Sequence, residues 1–488
     1  MGASIRRTLL FALTLSLLID LLVLALPYSL VTYADQAPIS LGEIAQRRPL
    51  PAVAFLLGFA ALFWLYSLAY RACRRAPEHA PVPLIFLGGL ALALVLAAVY
   101  PIGAGDVVDY VTHGEELVYF GGNPLVTPPG DFPDAVFARY SAYRHVPCNY
   151  GPLWIWISGL VVGVLGRRSL VLNLLGFKAV AIGAYLGQAA IIYAFLRRRD
   201  PARAPAGLLF FAWNPLVLYE FAANGHNDGT MTLFLLLALL LWERERPLWG
   251  ILALTLSFLV KIPASLIFPL YLAAAIRRQG VRMGVAGLLM TVGLVAEAYL
   301  SLPQPLDALT NLSGRSGLFT HSLPALVRSG LMAAGVASET ASKVTNLLAL
   351  GALGAWYLPR LWRTWRAPSY LFRATYEVLL FLLLFATPWF QPWYVTWVVA
   401  LAALFPRPDG PIQAGLLSLT VVVSYVVYGF LWFWIPDIGN WEYGLGINLI
   451  AVGTTFLVPW TYWLLSLRHQ RRRERTTEAQ RTQSFSGA

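Results

Sequence analysis

The sequence predicts an all-α polytopic membrane protein, and three observations carry this. Hydrophobic residues make up 58% of the 488-residue chain and charged residues only 12%. With a mean hydropathy of +0.63, this lies outside the range of soluble domains. Apolar runs long enough to cross a hydrocarbon core of about 30 Å recur along the whole chain. They are continuous rather than alternating, which excludes a β-barrel.

Charge and cysteines narrow the class further. The net charge of +12 sits in short loops and the C-terminal tail, where membrane orientation and anionic lipid headgroups account for it, so nucleic acid is not an expected partner. Cys73 and Cys148 fall on opposite sides of the predicted membrane. A disulfide framework and a metal-binding cysteine cluster are therefore not expected.

The elements follow in order. Arg6 and Arg7 precede an apolar run at 8–31, too long for a signal-peptide core and read as an uncleaved span. A second span at 50–70 ends in Arg71, Arg74 and Arg75, which marks the cytoplasmic side. A third, 83–101, returns outward into a polar section. Residues 151–166 are apolar but short. Counting them as interfacial or re-entrant keeps Arg197–Arg199 and the arginine-rich C-terminus inside. Further spans are expected at 168–196, 204–221, 229–243, 247–260, 263–277, 283–301, 341–358, 374–388, 392–405, 411–432 and 443–467. The total is about fourteen spans with both termini inside, and the inner segments then hold 25 of the 36 Lys and Arg. Residues 1–467 read as one integral membrane domain, with 102–167 as a first outer loop, 302–340 as a second, and 468–488 as a basic cytoplasmic tail without fixed structure.

The stretch 102–130 is the first long polar interruption. Asp106 and Asp109 stand three residues apart, which puts both on one face of a helix. His113 and Glu116 continue that face, while Val107, Val111, Gly114 and Val118 line the other. The pattern predicts a short amphipathic helix on the membrane surface, its acidic side toward a wet cavity. A solvated connector is the bland alternative. In the predicted topology the outer face also collects Glu220, Asn224-Gly-His226-Asn227-Asp228, Lys261 in the turn before Pro263, Arg315 and His321 in the second loop, and Gln391 within Trp389-Phe-Gln-Pro-Trp393-Tyr394. Asp437, Asn440 and Glu442 sit in a Trp-rich turn at the same face. Ionisable groups at membrane depth are costly and point to function. A snorkelling Lys261, an ordinary aromatic belt and a loop His321 are the structural alternatives, each reasonable in isolation. Four polar residues and a glycine in five positions at 224–228 exceed what a turn needs.

Several motifs occur together. Asp106-Val-Val-Asp109-Tyr110, Gly122-Asn-Pro124 and Pro128-Pro129 resemble the first outer loop of GT-C glycosyltransferases that use polyprenyl-phosphate sugars. Tyr150-Gly-Pro152-Leu153 resembles the motif that opens that family's juxtamembrane helix. Asn214-Pro215-Leu216, Glu220 and Gly225-His226-Asn227-Asp228 are similar to bacterial polyprenyl-phosphate-mannose-dependent α-mannosyltransferases. The resemblance covers about 100–270 closely and is architectural beyond that. It implies a GT-C-like bundle whose active site faces outward in a bacterial plasma membrane. It also implies an inverting transfer of a hexose, mannose above all, from a polyprenyl-phosphate donor to a glycolipid or polysaccharide acceptor.

The chemistry fits these residues. The departing lipid phosphate is a good leaving group and needs no general acid, and one or two cations stabilise it, so neither cofactor nor metal is expected. The acceptor hydroxyl needs a base, which a partly desolvated Asp supplies. Asp106 is the expected base and Asp109 its partner; Lys261, Arg315 and His321 are the candidates for the phosphate. His113, Tyr150, Glu220, His226, Asn227, Asp228 and Gln391 are candidates for sugar and acceptor contacts. Two other classes compete. A transporter or flippase of a lipid-linked sugar would show paired repeats and mid-membrane breaks. A scaffold gives no reason for buried charges. Polar residues gathered at one face without an evident repeat favour the enzyme.

Overall fold

The computed structural model describes residues 2–307, 318–405, 409–435 and 444–486, with side chains up to Leu467 in the last stretch. Among these residues the regular elements are helical, and β pairing is confined to isolated bridges between Ser29 and Val99 and between Thr320 and Trp389.

Seven helices are long and apolar enough to cross a membrane: Gly2–Ala25, Pro49–Arg75, Leu170–Arg199, Val281–Leu300, Pro368–Ala386, Asp409–Trp434 and Leu445–Leu467. Pro201–Ala212 and Pro215–Ala223 form a pair bent by 50°, an eighth span if taken as one. These eight coincide with expected spans. The other expected spans fall on shorter or more polar helices. Val82–Ala97 and Asp228–Glu243 have 16 residues each, Pro247–Val260 has 14 and Phe268–Gln279 has 12. At 1.5 Å per residue, even sixteen reach only about 24 Å. Pro392–Ala402 is shorter still, and Ser338–Arg366 is long but less apolar. Length and composition alone therefore support seven or eight crossings. Pro152–Leu165, at 14 residues, has the length of an interfacial helix. The final helix continues through 468–486, where the sequence predicts a tail without fixed structure; Arg, Glu, Gln and Ala all have good helix propensity.

The bent pair forms the axis of the bundle. From Leu208 to Thr232 every residue is buried. The bend has a local cause: Asn214 caps the second helix, its side chain accepting from the backbone N–H groups of Leu216 and Val217 at 3.1 and 3.2 Å. Pro215 follows at the first helical position, where its missing N–H costs nothing. At the periphery, Val281–Leu300 turns Leu288, Leu289 and Val292 outward, as a lipid-facing helix would.

One buried lysine sets the entry to the polar section. Lys178, in the third turn of Leu170–Arg199, donates to the carbonyls of Ala97 (3.0 Å) and Val99. The first of these carbonyls ends the helix Val82–Ala97 and the second follows it by two residues, where intrahelical partners are lacking. Leu30 N–H bonds Ala98 O and Tyr100 N–H bonds Tyr28 O, both at 2.7 Å, so the strand-like lead-in to Asp106 is held from both sides.

Candidate active site

Helix Asp106–Phe120 starts directly after this lead-in, with both acids in its first turn, where the helix dipole favours negative charge. Residues 107–116 are all buried. This corrects the expected surface-lying amphipathic helix: the first three turns are enclosed by protein on both faces, chiefly against Pro152–Leu165, and exposure begins only at Val118 and Tyr119. The enclosure is built by the loop that follows. Glu115 accepts the N–H groups of Val136 and Phe137, both at 2.9 Å, and pairs with Arg167 at 2.7 Å.

Asp106 remains partly open, its side chain 15% exposed. Tyr150 Oη donates to its Oδ2 at 2.8 Å. Burial raises its pKa above the usual carboxylate range, while the Lys261 charge and the Tyr150 hydrogen bond oppose that rise. Asp109 is buried and accepts from Ser141 Oγ. Burial pushes its pKa up to about 8, and the Asp106 charge adds to this. The two acids therefore divide, as coupled carboxylates do: near neutral pH Asp109 mostly keeps its proton.

Tyr150 reaches Asp106 because its neighbour is glycine. Gly151 N–H bonds Val260 O at 3.0 Å, and a Cβ there would lie 2.0 Å from Leu259 O. The Tyr150-Gly-Pro152 motif thus docks on the end of helix Pro247–Val260, next to Lys261. Lys261 Nζ lies 5.5 Å from the Tyr150 ring centroid and 5.0 Å from that of Tyr394. It pairs with Asp228 Oδ2 at 2.7 Å and approaches Asn227 Oδ1 at 3.5 Å. Trp397 Nε1 donates to the other Asp228 oxygen at 2.6 Å.

The buried motif after the bent pair closes the site from behind. Gly225 has φ +73°, a left-handed conformation open to glycine, and turns the chain from Glu220 toward Asp228. His226 is wholly buried, its Nδ1 3.7 Å from Asp106 Oδ2 and its Nε2 3.4 Å from Glu220 Oε2. Its ring stacks on Trp393 with centroids 4.0 Å apart. Glu220 accepts from Tyr425 Oη at 2.5 Å and Asn224 Nδ2 at 2.9 Å. Asn224 Oδ1 in turn accepts Gly103 N–H at 3.0 Å, tying the motif to the Asp106 lead-in.

The structure thus brings Asp106, Tyr150, Glu220, His226, Asn227, Asp228 and Lys261 into one cluster. Other expected members lie elsewhere. His113 is two turns along the helix, 4.0 Å from Glu116. His321 Nε2 pairs with Thr455 at 2.7 Å, its ring packs against Phe390, Tyr428 and Phe456, and burial pushes its pKa down to about 3. The imidazole is thus enclosed by aromatic rings in its neutral form. Gln391 is half-buried, two residues before Trp393. Arg315, and with it Asp437, Asn440 and Glu442, lie outside the described residues. Trp397 and Tyr425 carry no signal in the sequence; they bond acids 169 and 205 residues away. Among the described residues no three His, Cys, Asp or Glu side chains converge as a metal site needs. A cavity of about 730 Å³ lies at another place in the bundle and shares no lining residue with the cluster.

A multi-pass helical bundle with a loop-borne acid pair and a buried lysine at a helix break has the features of the GT-C glycosyltransferases that the motifs resemble. The chain belongs to the MptA_B family: the family's sequence model, described as alpha-(1->6)-mannopyranosyltransferase, N-terminal domain, matches residues 11–277. That range holds every member of the cluster named above except the aromatic partners from 393 onward. The chain is 23% identical over 186 residues to alpha-(1->6)-mannopyranosyltransferase A of Corynebacterium glutamicum, covering 38% of this chain and 36% of that protein. It is 24% identical over 196 residues to the protein of the same name from Mycobacterium tuberculosis, covering 40% and 37%. The matched stretch thus spans a little over a third of each relative's length.

Proposed function

We propose that this protein is a membrane mannosyltransferase that moves mannose from a polyprenyl-phosphate donor to a glycolipid or polysaccharide acceptor. The observation that carries this is the placement of Tyr150, with Asp106 on its hydroxyl and Lys261 over its ring face. A base and a cation separated by one aromatic ring suit a displacement in which a hydroxyl proton leaves at one side and a phosphate at the other. Asp106, whose ionised form Lys261 and Tyr150 favour against the effect of burial, takes the acceptor's proton. The acceptor oxygen attacks the anomeric carbon with inversion, and the lipid phosphate departs toward Lys261. Asp228 and Trp397 orient the lysine, and Glu220 and Asn224 brace His226 behind Asp106. The family membership and the named relatives support mannose and the α-(1→6) outcome.

The arginine distribution supports an outward-facing site with both termini inside, and the shorter apolar helices would complete about fourteen crossings by packing on longer ones. The transporter reading gains no support from the 730 Å³ cavity, whose lining does not include Asp106. The test is incubation of the purified protein with labelled polyprenyl-phosphate sugars and extracted acceptor lipids. Transfer from the mannose donor supports the reading; binding and translocation without transfer would replace it.

A further inference from the structure

The 730 Å³ cavity lies at the opposite end of the bundle from Asp106. Phe177 packs against Tyr110 at the cluster, with ring centroids 5.7 Å apart, while Phe195 and Arg199 of the same helix line the cavity. The 22 residue steps from Phe177 to Arg199 span roughly 33 Å of helix, about the thickness of a hydrocarbon core.

Its lining is divided by chemistry. Phe195, Phe372, Trp356, Trp463 and Leu467 form apolar walls. Arg199, Arg360, Arg363 and Arg373 stand against Asp200, Glu377 and Asp409. Two of these acids are already engaged: Asp200 pairs with Arg203 at 3.1 Å, and Glu377 is shared by Arg360 at 3.0 Å and Arg373 at 2.6 Å. Arg199 also approaches Glu243 at 3.8 Å. Even with Asp409 the arginines of the lining outnumber its acids, two of them sharing the Glu377 carboxylate beside an apolar chamber. Arg360 also lies flat over Trp356, 3.3 Å from the ring centroid, which holds its fork in place. A guanidinium fork matches phosphate oxygens, and the volume suits a headgroup with the first part of its chains.

We propose that this cavity binds the phosphodiester headgroup of an anionic phospholipid, with the aromatic walls taking the adjoining methylenes. The site lies in the leaflet opposite the Asp106 cluster and is separate from the donor.

The test uses delipidated full-length protein titrated with short-chain phosphatidylglycerol, short-chain phosphatidylcholine and inorganic phosphate in parallel, with adducts read by native mass spectrometry. A saturable phosphatidylglycerol adduct is expected, with phosphatidylcholine much weaker and inorganic phosphate unable to displace it. Arg199→Gln/Arg363→Gln should weaken the adduct roughly tenfold or more, as loss of charge-assisted contacts does. Arg75→Gln, at an exposed arginine outside the cavity, should not. Arg363 is exposed and the Arg199 side chain nearly half so, so the double variant should fold; if it does not, Arg199→Gln alone carries the comparison. Equal binding by wild type and variant, or equal binding of both lipids, overturns the proposal. Full displacement by inorganic phosphate overturns the lipid assignment in favour of a free-phosphate site.

Discussion

Tyr150 donates a 2.8 Å hydrogen bond to Asp106, and this contact favours the ionised form of the proposed base. Burial raises the Asp106 pKa; the Lys261 charge and the Tyr150 hydroxyl hold it down. Asp106 must be ionised to accept a proton, so activity should fall as pH drops through its pKa. Tyr150→Phe removes one of the two opposing influences and raises that pKa. The acid limb of the pH–rate profile should therefore move to higher pH, with the rate recovering at the alkaline end. An unmoved limb would mean that another group titrates.

Lys261 should govern donor affinity. Lys261→Met alone strands Asp228, a buried carboxylate left with Trp397, and breaking such a pair costs roughly 3–5 kcal/mol. Lys261→Met/Asp228→Asn removes both charges and separates folding from binding. At matched folded protein, donor affinity in the double variant should fall about ten- to hundredfold, the worth of a charge-assisted contact of roughly 1.5–3 kcal/mol. Unchanged donor affinity would place the phosphate elsewhere.

Asp109 should make stability depend on pH. Its carboxyl moves from 3.8 to about 8 on folding, so between those values the folded state keeps a proton that the unfolded state has lost. Stability contributed by this group is therefore full at low pH and declines as pH rises toward 8. Asp109→Asn has no such proton. Between pH 5 and 8.5 the detergent-solubilised wild type should lose more melting temperature than the variant. Parallel losses would rule out Asp109 as the source.

Sidedness can be read with thiols. Cys73 and Cys148 are both buried, so neither serves as a probe and both leave a quiet background. Tyr143→Cys in the first loop and Ala202→Cys after the Leu170–Arg199 helix occupy exposed positions. On intact cells an impermeant maleimide should label the first and spare the second. Labelling at 202 alone would invert the orientation.

Motif order made much of the site legible beforehand. Asp106, Tyr150, His226 and Lys261 come from four separate segments, yet each stood at a polar break in an apolar chain, where burial is costly without a partner. The aromatic partners carried no such mark. Nothing local distinguishes Trp397 or Tyr425 among the 17 Trp and 23 Tyr of the chain, because their role exists only once helices distant in sequence pack together. His321 shows the converse: a polar residue in a loop looks available in the sequence, while its ring is enclosed by Phe390 and Phe456 and bonded to Thr455. The Asp106 helix read as amphipathic from its spacing, while the clamp of Glu115 on Val136, Phe137 and Arg167 that buries it lies beyond any periodicity. The spans were clear where runs were long and uncertain where helices of 12 to 16 residues lie within the bundle.

The central claim is that Asp106 is the general base, and sugar transfer by Asp106→Asn tests it most directly. Asparagine keeps the size and the hydrogen bond from Tyr150 but cannot take a proton. At equal folded protein and equal donor binding, the rate should fall by roughly two to four orders of magnitude, with Asp109→Asn milder. Wild-type transfer by Asp106→Asn would contradict the account.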